Sequence, residues 1–188
     1  MTPDRALDVV DSAFRAAEAR DWQALFNVLD PAAIEQFKQQ QRPMVVMSTD
    51  LSALGEQDEG GMLRGVFGVP DLAAFDTLPA ALVLRRWLVV SHGTHDTRPA
   101  MTQMRRAIGH VLESPDVAHV VFREQWVGPM PREAVRVISV RRVDGHWRVG
   151  LGGGLVSDET GGVGIGYNPG SVDPTLGEAD FVAPDTEQ

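Results

Sequence analysis

The sequence predicts an α+β fold: N-terminal helices packed on a strongly curved, cone-like antiparallel sheet of about four strands. Three observations predict it. Early in the chain, apolar residues recur at helical spacing, as in Leu7, Val10, Phe14 and Ala17. Later the period shortens to alternation, and the run from Val117 to Val127 is rich in β-branched and aromatic residues. Asp144-Gly145 then stands between two alternating runs, the strongest short-range signal of a two-residue hairpin.

Taken in order, Thr2 can cap the first helix and Pro3 fits its first turn. Asp21 restarts a short helix with Trp22, Leu25, Phe26 and Leu29. Asp30-Pro31 opens another carrying Ala33, Ile34 and Phe37, which Arg42-Pro43 is expected to end. The glycines and acids between Ser48 and Gly68 suggest a loop or lid. A further helix begins at Leu78-Pro79, carries Leu82, Val83, Trp87 and Leu88, and stops at His92-Gly93. Met101 to Glu113 fits a strand better than a helix, because Ser114-Pro115-Asp116 turns it into the next β-rich run. Ala134 to Val143 and His146 to Leu151 complete the sheet. A two-residue turn at Asp144-Gly145 pairs Val143 with His146 and Arg142 with Trp147. Ile138, Val140, Trp147, Val149 and Leu151 then share the core face, and Ser139, Arg141, His146 and Arg148 the polar one. Phe14, Trp22, Phe26, Phe37 and Trp87 complete the expected core.

The chain has 188 residues, which suits one domain, placed over 1–151. Residues 152–188 read as a Gly/Pro/acidic, flexible tail, because few large apolar side chains are available there to offset the cost of ordering. That tail holds 7 of the 26 acidic residues and none of the 17 basic ones, so most of the net charge of −9 resides there. Such a balance offers no basic face for phosphates and argues against nucleic acid as a partner. The absence of cysteine excludes disulfides, thiolate metal sites and cysteine nucleophiles. No apolar run reaches the roughly 20 residues of a membrane span, and the N-terminal residues lack a leader pattern. A cytoplasmic protein without membrane partners is expected.

Helices followed by an antiparallel sheet, with Asp21-Trp22 between the first two helices and a terminal Val143-Asp144-Gly145-His146-Trp147-Arg148-Val149 hairpin, resemble the nuclear-transport-factor-2-like superfamily. This is the cone-shaped, cystatin-like fold shared with ketosteroid isomerases. The resemblance covers about residues 3–151. The segments Ile108-Gly109-His110 and Ala118 to Arg123 look like a group of bacterial members without an assigned activity. The resemblance implies a hollow that serves as enzyme pocket, ligand site or plain core, and pairing through the sheet. Isomerase-like members need a tyrosine donor. The sole tyrosine, Tyr167, lies in the tail, so that role does not carry over.

Candidate chemistry is sparse. Either two-residue loop centred on Ser114-Pro115-Asp116 would place His110 and His119 on one face with Arg123, a group able to shuttle a proton or bind an anion. Partly buried sheet histidines would look the same. Trp87 and Trp126 are candidate ligand-lining aromatics. His92, His95 and Asp96 supply metal-capable atoms but lack the spacing that aims two rings at one ion. The glycines at 161, 162, 164 and 166 have no following Lys-Ser/Thr, and no Gly-x-Ser-x-Gly elbow occurs. The sequence therefore points to a module without a cofactor that binds a small apolar ligand or assembles with itself. The alternatives are a lyase or isomerase using His110 or His119 with Arg123, and a pure homodimeric interaction protein.

Overall fold

A computed structural model describes residues 5–53, 61–93, 103–126, 132–151, 155, 175–176 and 178–184. The chain divides into two compact units, Met1–Ala33 with Thr94–Gly164, and Ile34–Gly93 with Ile165–Gln188. The architecture is α+β with one four-stranded antiparallel sheet.

In the first unit, α1 (Ala6–Ala19) buries Val9, Val10, Ala13, Phe14 and Ala17, the stripe its spacing dictates. Arg20 ends it in the left-handed region, at φ 54°. Asp21 caps α2 (Trp22–Phe26) by accepting from the Ala24 amide at 2.9 Å, and Asp30 accepts from the Ala32 amide at the same distance. Thr2 and Pro3 lie outside the described residues.

The sheet follows the order β1 (Gln103–Ser114), β2 (Val117–Trp126), β3 (Arg132–Val143) and β4 (His146–Val149). The stretch that could have been helix or strand forms β1 from Gln103 onward, while Met101 lies outside the described residues. Both residues of the Asp144-Gly145 turn have positive φ, 52° and 79°, as the primed hairpin turn demands. Val143 pairs with His146 and Arg142 with Trp147, as the sequence predicts. Ile138, Val140, Trp147 and Val149 are buried together, and Phe14 of α1 meets Phe122 of β2 at 4.7 Å between ring centroids. The inner face is thus a filled core. Two carboxylates of α1, seven residues apart, reach the first strand: Glu18 accepts from the Arg105 amide and Asp11 from that of Ala107. On the far side Leu29 bridges Val149 in parallel.

The second unit contains α3 (Pro31–Ala53) from Ile34 onward, α4 (Gly61–Gly65), α5 (Leu72–Thr77) and α6 (Ala80–His92). Pro43 does not end its helix; α3 continues past it to Ala53. Proline removes one hydrogen bond, but Gln41, Val45 and Ser48 are buried around it and Val45 is fully enclosed by the core, so packing holds the helix through the defect. Part of the expected lid is also helical, in α3 and α4. Asp71 caps the unanticipated α5, accepting from Ala74 at 2.8 Å. Phe67 and Phe75 meet edge to face at the centre of this unit. The expected core residues Phe37 and Trp87 belong here, partly buried and 5.4 Å apart by centroid.

Candidate functional site

The two-residue turn after Ser114 forms, yet the histidine geometry expected from it does not. A bulge at Glu113 and another at Ile108 shift the register, so His119 pairs with Val111 and His110 with Val120. Because side chains alternate across a strand, His110 and His119 point to opposite faces of the sheet. An acid-base pair of these two rings with Arg123 is therefore not assembled. Arg123 shares the outer face with His119 but is engaged by Glu133 at 3.1 Å.

His119 has other company. Its Nε2 lies 2.7 Å from Glu113 Oε2 and its Nδ1 3.0 Å from Ser139 Oγ. The carboxylate accepts only, which places the proton of a neutral ring on Nε2 and leaves Nδ1 to accept from the serine hydroxyl. The three residues come from β1, β2 and β3, and they form a serine–histidine–glutamate relay lying open on the sheet surface. Acyl transfer would further need amide donors aimed at an oxyanion. Ser139 instead lies in the β2–β3 ladder opposite His119, and its carbonyl accepts from Gly150. The relay orients a ring and ties three strands together.

Around it the outer face is unexpectedly apolar. Val135 and Val137 have the same parity as Ser139 and Arg141, so the face taken as polar from the hairpin end is not polar along its whole length. Met104, Val111, Val135 and Val137, all on this face by register, are each more than half exposed, as is Ile108 in its bulge. Val121 continues the patch between Gly109 and Val137. Charges of both signs are interleaved with the apolar residues: Arg106 and Arg123 stand opposite each other across β1 and β2, Glu133 engages Arg123, and Glu113 engages His119. The signal was present in Ala134-Val135-Arg136-Val137-Ile138, where apolar residues occupy both parities.

The inner face holds a polar group that sequence reasoning missed. Glu124 is fully buried; Arg105 Nε donates to its Oε1 at 2.9 Å and Arg136 Nε lies 2.8 Å from its Oε2. Arg105 also donates to the Leu155 carbonyl at 3.1 Å and stands over the Phe14 ring. Burial pushes the Glu18 carboxyl above its ordinary range, against the lowering effect of Arg105. Glu124, Arg105 and Arg136 alternate in phase with Phe122 and Ile138, which is the trace they leave in the sequence.

The remaining candidates scatter. Trp87 and His92 meet edge to face on α6, 5.6 Å apart, and His92 is buried at the helix end instead of lying in a loop. His95 and Asp96 lie outside the described residues, as does the side chain of Trp126. Among the described residues no three metal-capable side chains gather, and no helix is long and apolar enough to cross a membrane. No protein-family model, curated protein or solved structure matches the chain.

Proposed function

We propose that this protein is a non-catalytic assembly module that pairs with a second copy of itself through the outer face of its sheet. The observation that carries the reading is the exposure of Met104, Val111, Val135 and Val137 on one face of the sheet, among charges of both signs. Exposed apolar side chains gathered on one face mark interaction sites. A face that carries arginines and glutamates together offers both signs to the same face of a second copy under a two-fold axis. Strands of 12, 10 and 12 residues, at about 3.3 Å per residue and 4.8 Å spacing, present a projected area of roughly 500 Å². Side-chain relief enlarges it toward the about 800 Å² per partner of a standard interface. Lateral pairing has less to offer, since Glu18 and Asp11 occupy the free amides of Arg105 and Ala107.

The nuclear-transport-factor-2-like resemblance, itself a proposal, would imply the same pairing through the sheet. A small apolar ligand in the hollow is the weaker reading, because Phe14, Phe122, Ile138 and Trp147 fill the inner face. A lyase or isomerase built on His110 and His119 is disfavoured by their opposite orientation. Sedimentation equilibrium tests the proposal. The wild type should have twice the chain mass and Val137→Lys the single mass, with the same circular dichroism. A wild type that stays monomeric at micromolar concentration overturns it.

A further inference from the structure

Adjacent arginines on a helix are ordinarily solvated, because their heads are hard to bury without partners. Arg85 and Arg86 of α6 are both buried, 5% and 8% exposed. What covers them comes from the far end of the chain. Glu178 grips Arg86 with both carboxylate oxygens, at 2.6 and 3.1 Å, the fork geometry in which arginine recognises carboxylates. Arg86 also donates to the Phe67 carbonyl. Arg85 donates to the Leu176 carbonyl and lies 5.4 Å from the centre of the Phe181 ring. One carbonyl, one carboxylate and one aromatic ring within six residues are thus read by two neighbouring side chains.

The fit is incomplete. Among the described residues Arg85 Nη1 is buried without an acceptor, and Glu178 is the one carboxylate set against these two guanidinium groups. Burial pulls the Arg85 group below its ordinary range, with Glu178 opposing and Arg86 reinforcing that fall. A buried donor without a partner costs free energy that a better occupant would recover. We infer that the Arg85–Arg86 edge of α6 is a docking site for an acidic peptide segment of a partner protein, one carrying two carboxylates and an aromatic residue, and that Leu176–Phe181 is its resident placeholder. This site is separate from the sheet face and stands or falls independently of it.

The test uses the full chain and a fluorescein-labelled synthetic peptide of residues 173–184, read by fluorescence polarisation. The peptide should bind the Glu178→Gln chain about tenfold tighter than the wild type, whose own segment competes. A Leu176→Glu peptide, with its second carboxylate, should bind tighter again, and Arg85→Met should erase that gain. Arg86→Met should abolish binding of both. In the wild type, excess peptide should speed hydrogen exchange at residues 178–181 as the resident segment is released, a readout independent of any variant's folding. Equal affinity for all chains and peptides, or no binding together with unchanged exchange, overturns the proposal. A wild-type dimer whose mass halves on adding peptide would identify the occupant as the same segment of a second copy and overturn the partner assigned here.

Discussion

Replacing Glu124 by glutamine should be among the most damaging conservative changes available in the sheet unit. The Glu124 and Arg105 side chains are both wholly withdrawn from water, so the substitution removes the buried negative charge that the Arg105 guanidinium faces. Breaking a buried pair by deleting one charge costs about 3–5 kcal/mol. Glutamine keeps one oxygen that can accept from Arg105 Nε, which puts the expected loss at the lower end, about 3 kcal/mol. Arg136 is one-third exposed, so Arg136→Met should cost less than about 1 kcal/mol after solvent screening. Replacing all three at once by Arg105→Met, Glu124→Leu and Arg136→Met should recover most of the loss, because apolar side chains of similar volume do not need paired charges. The assay is urea unfolding followed by fluorescence, with hydrogen exchange of the β2 amides to isolate this unit, since two units need not unfold together. A Glu124→Gln loss below about 1 kcal/mol, or an equal loss from Arg136→Met, would refute the reasoning.

Three further perturbations bear on local claims. Burial raises the Glu18 carboxyl, so the folded state holds its proton more tightly than the unfolded one; its contribution is fully present below the ordinary value of 4.5 and is lost as pH rises toward the raised folded value. Glu18→Gln should therefore gain on the wild type as pH increases through that window, and parallel urea-midpoint curves would contradict it. At Gly145, where φ is +79° and nothing stands within 4 Å of an added Cβ, alanine meets only backbone strain. A loss of about 1–2 kcal/mol in urea unfolding is expected there, against almost none for Gly109→Ala, whose surroundings are equally open. Pro43→Ala, at an exposed position inside α3, should raise the melting temperature by restoring one helical hydrogen bond; a lower value would mean the proline shapes the helix to its packing.

What the sequence disclosed was local. Asp21, Asp30 and Asp144-Gly145 act through neighbours a few residues away, and each formed the cap or turn expected of it. Alternation in β3 and β4 likewise identified the buried face correctly near the hairpin. The failures share a different cause. Pro43 is overruled by Val45 and the core around it, a tertiary effect with no local trace. The His110–His119 face was lost to an extra residue, Glu113, since one bulge inverts the parity of everything beyond it. Glu124 passed unnoticed because a lone acid at an inward position looks like a solvated one until Arg105 and Arg136, 19 and 12 residues away in sequence, are placed beside it.

The buried charge group also decides which of several similar sheets is built. Sliding β2 by two residues along β1 would keep Ala118, Val120 and Phe122 inward, and apolar side chains tolerate such an exchange of neighbours. The same slide would carry Glu124 from opposite Arg105 to opposite Ala107 or Gln103, leaving opposite charges apart in a dry interior. An offset of β3 would separate Arg136 from the same carboxylate. A hydrophobic sheet face specifies which side is inward but not how far along each strand sits. Here one carboxylate between two arginines supplies that missing coordinate and fixes the alignment of three strands at a single point.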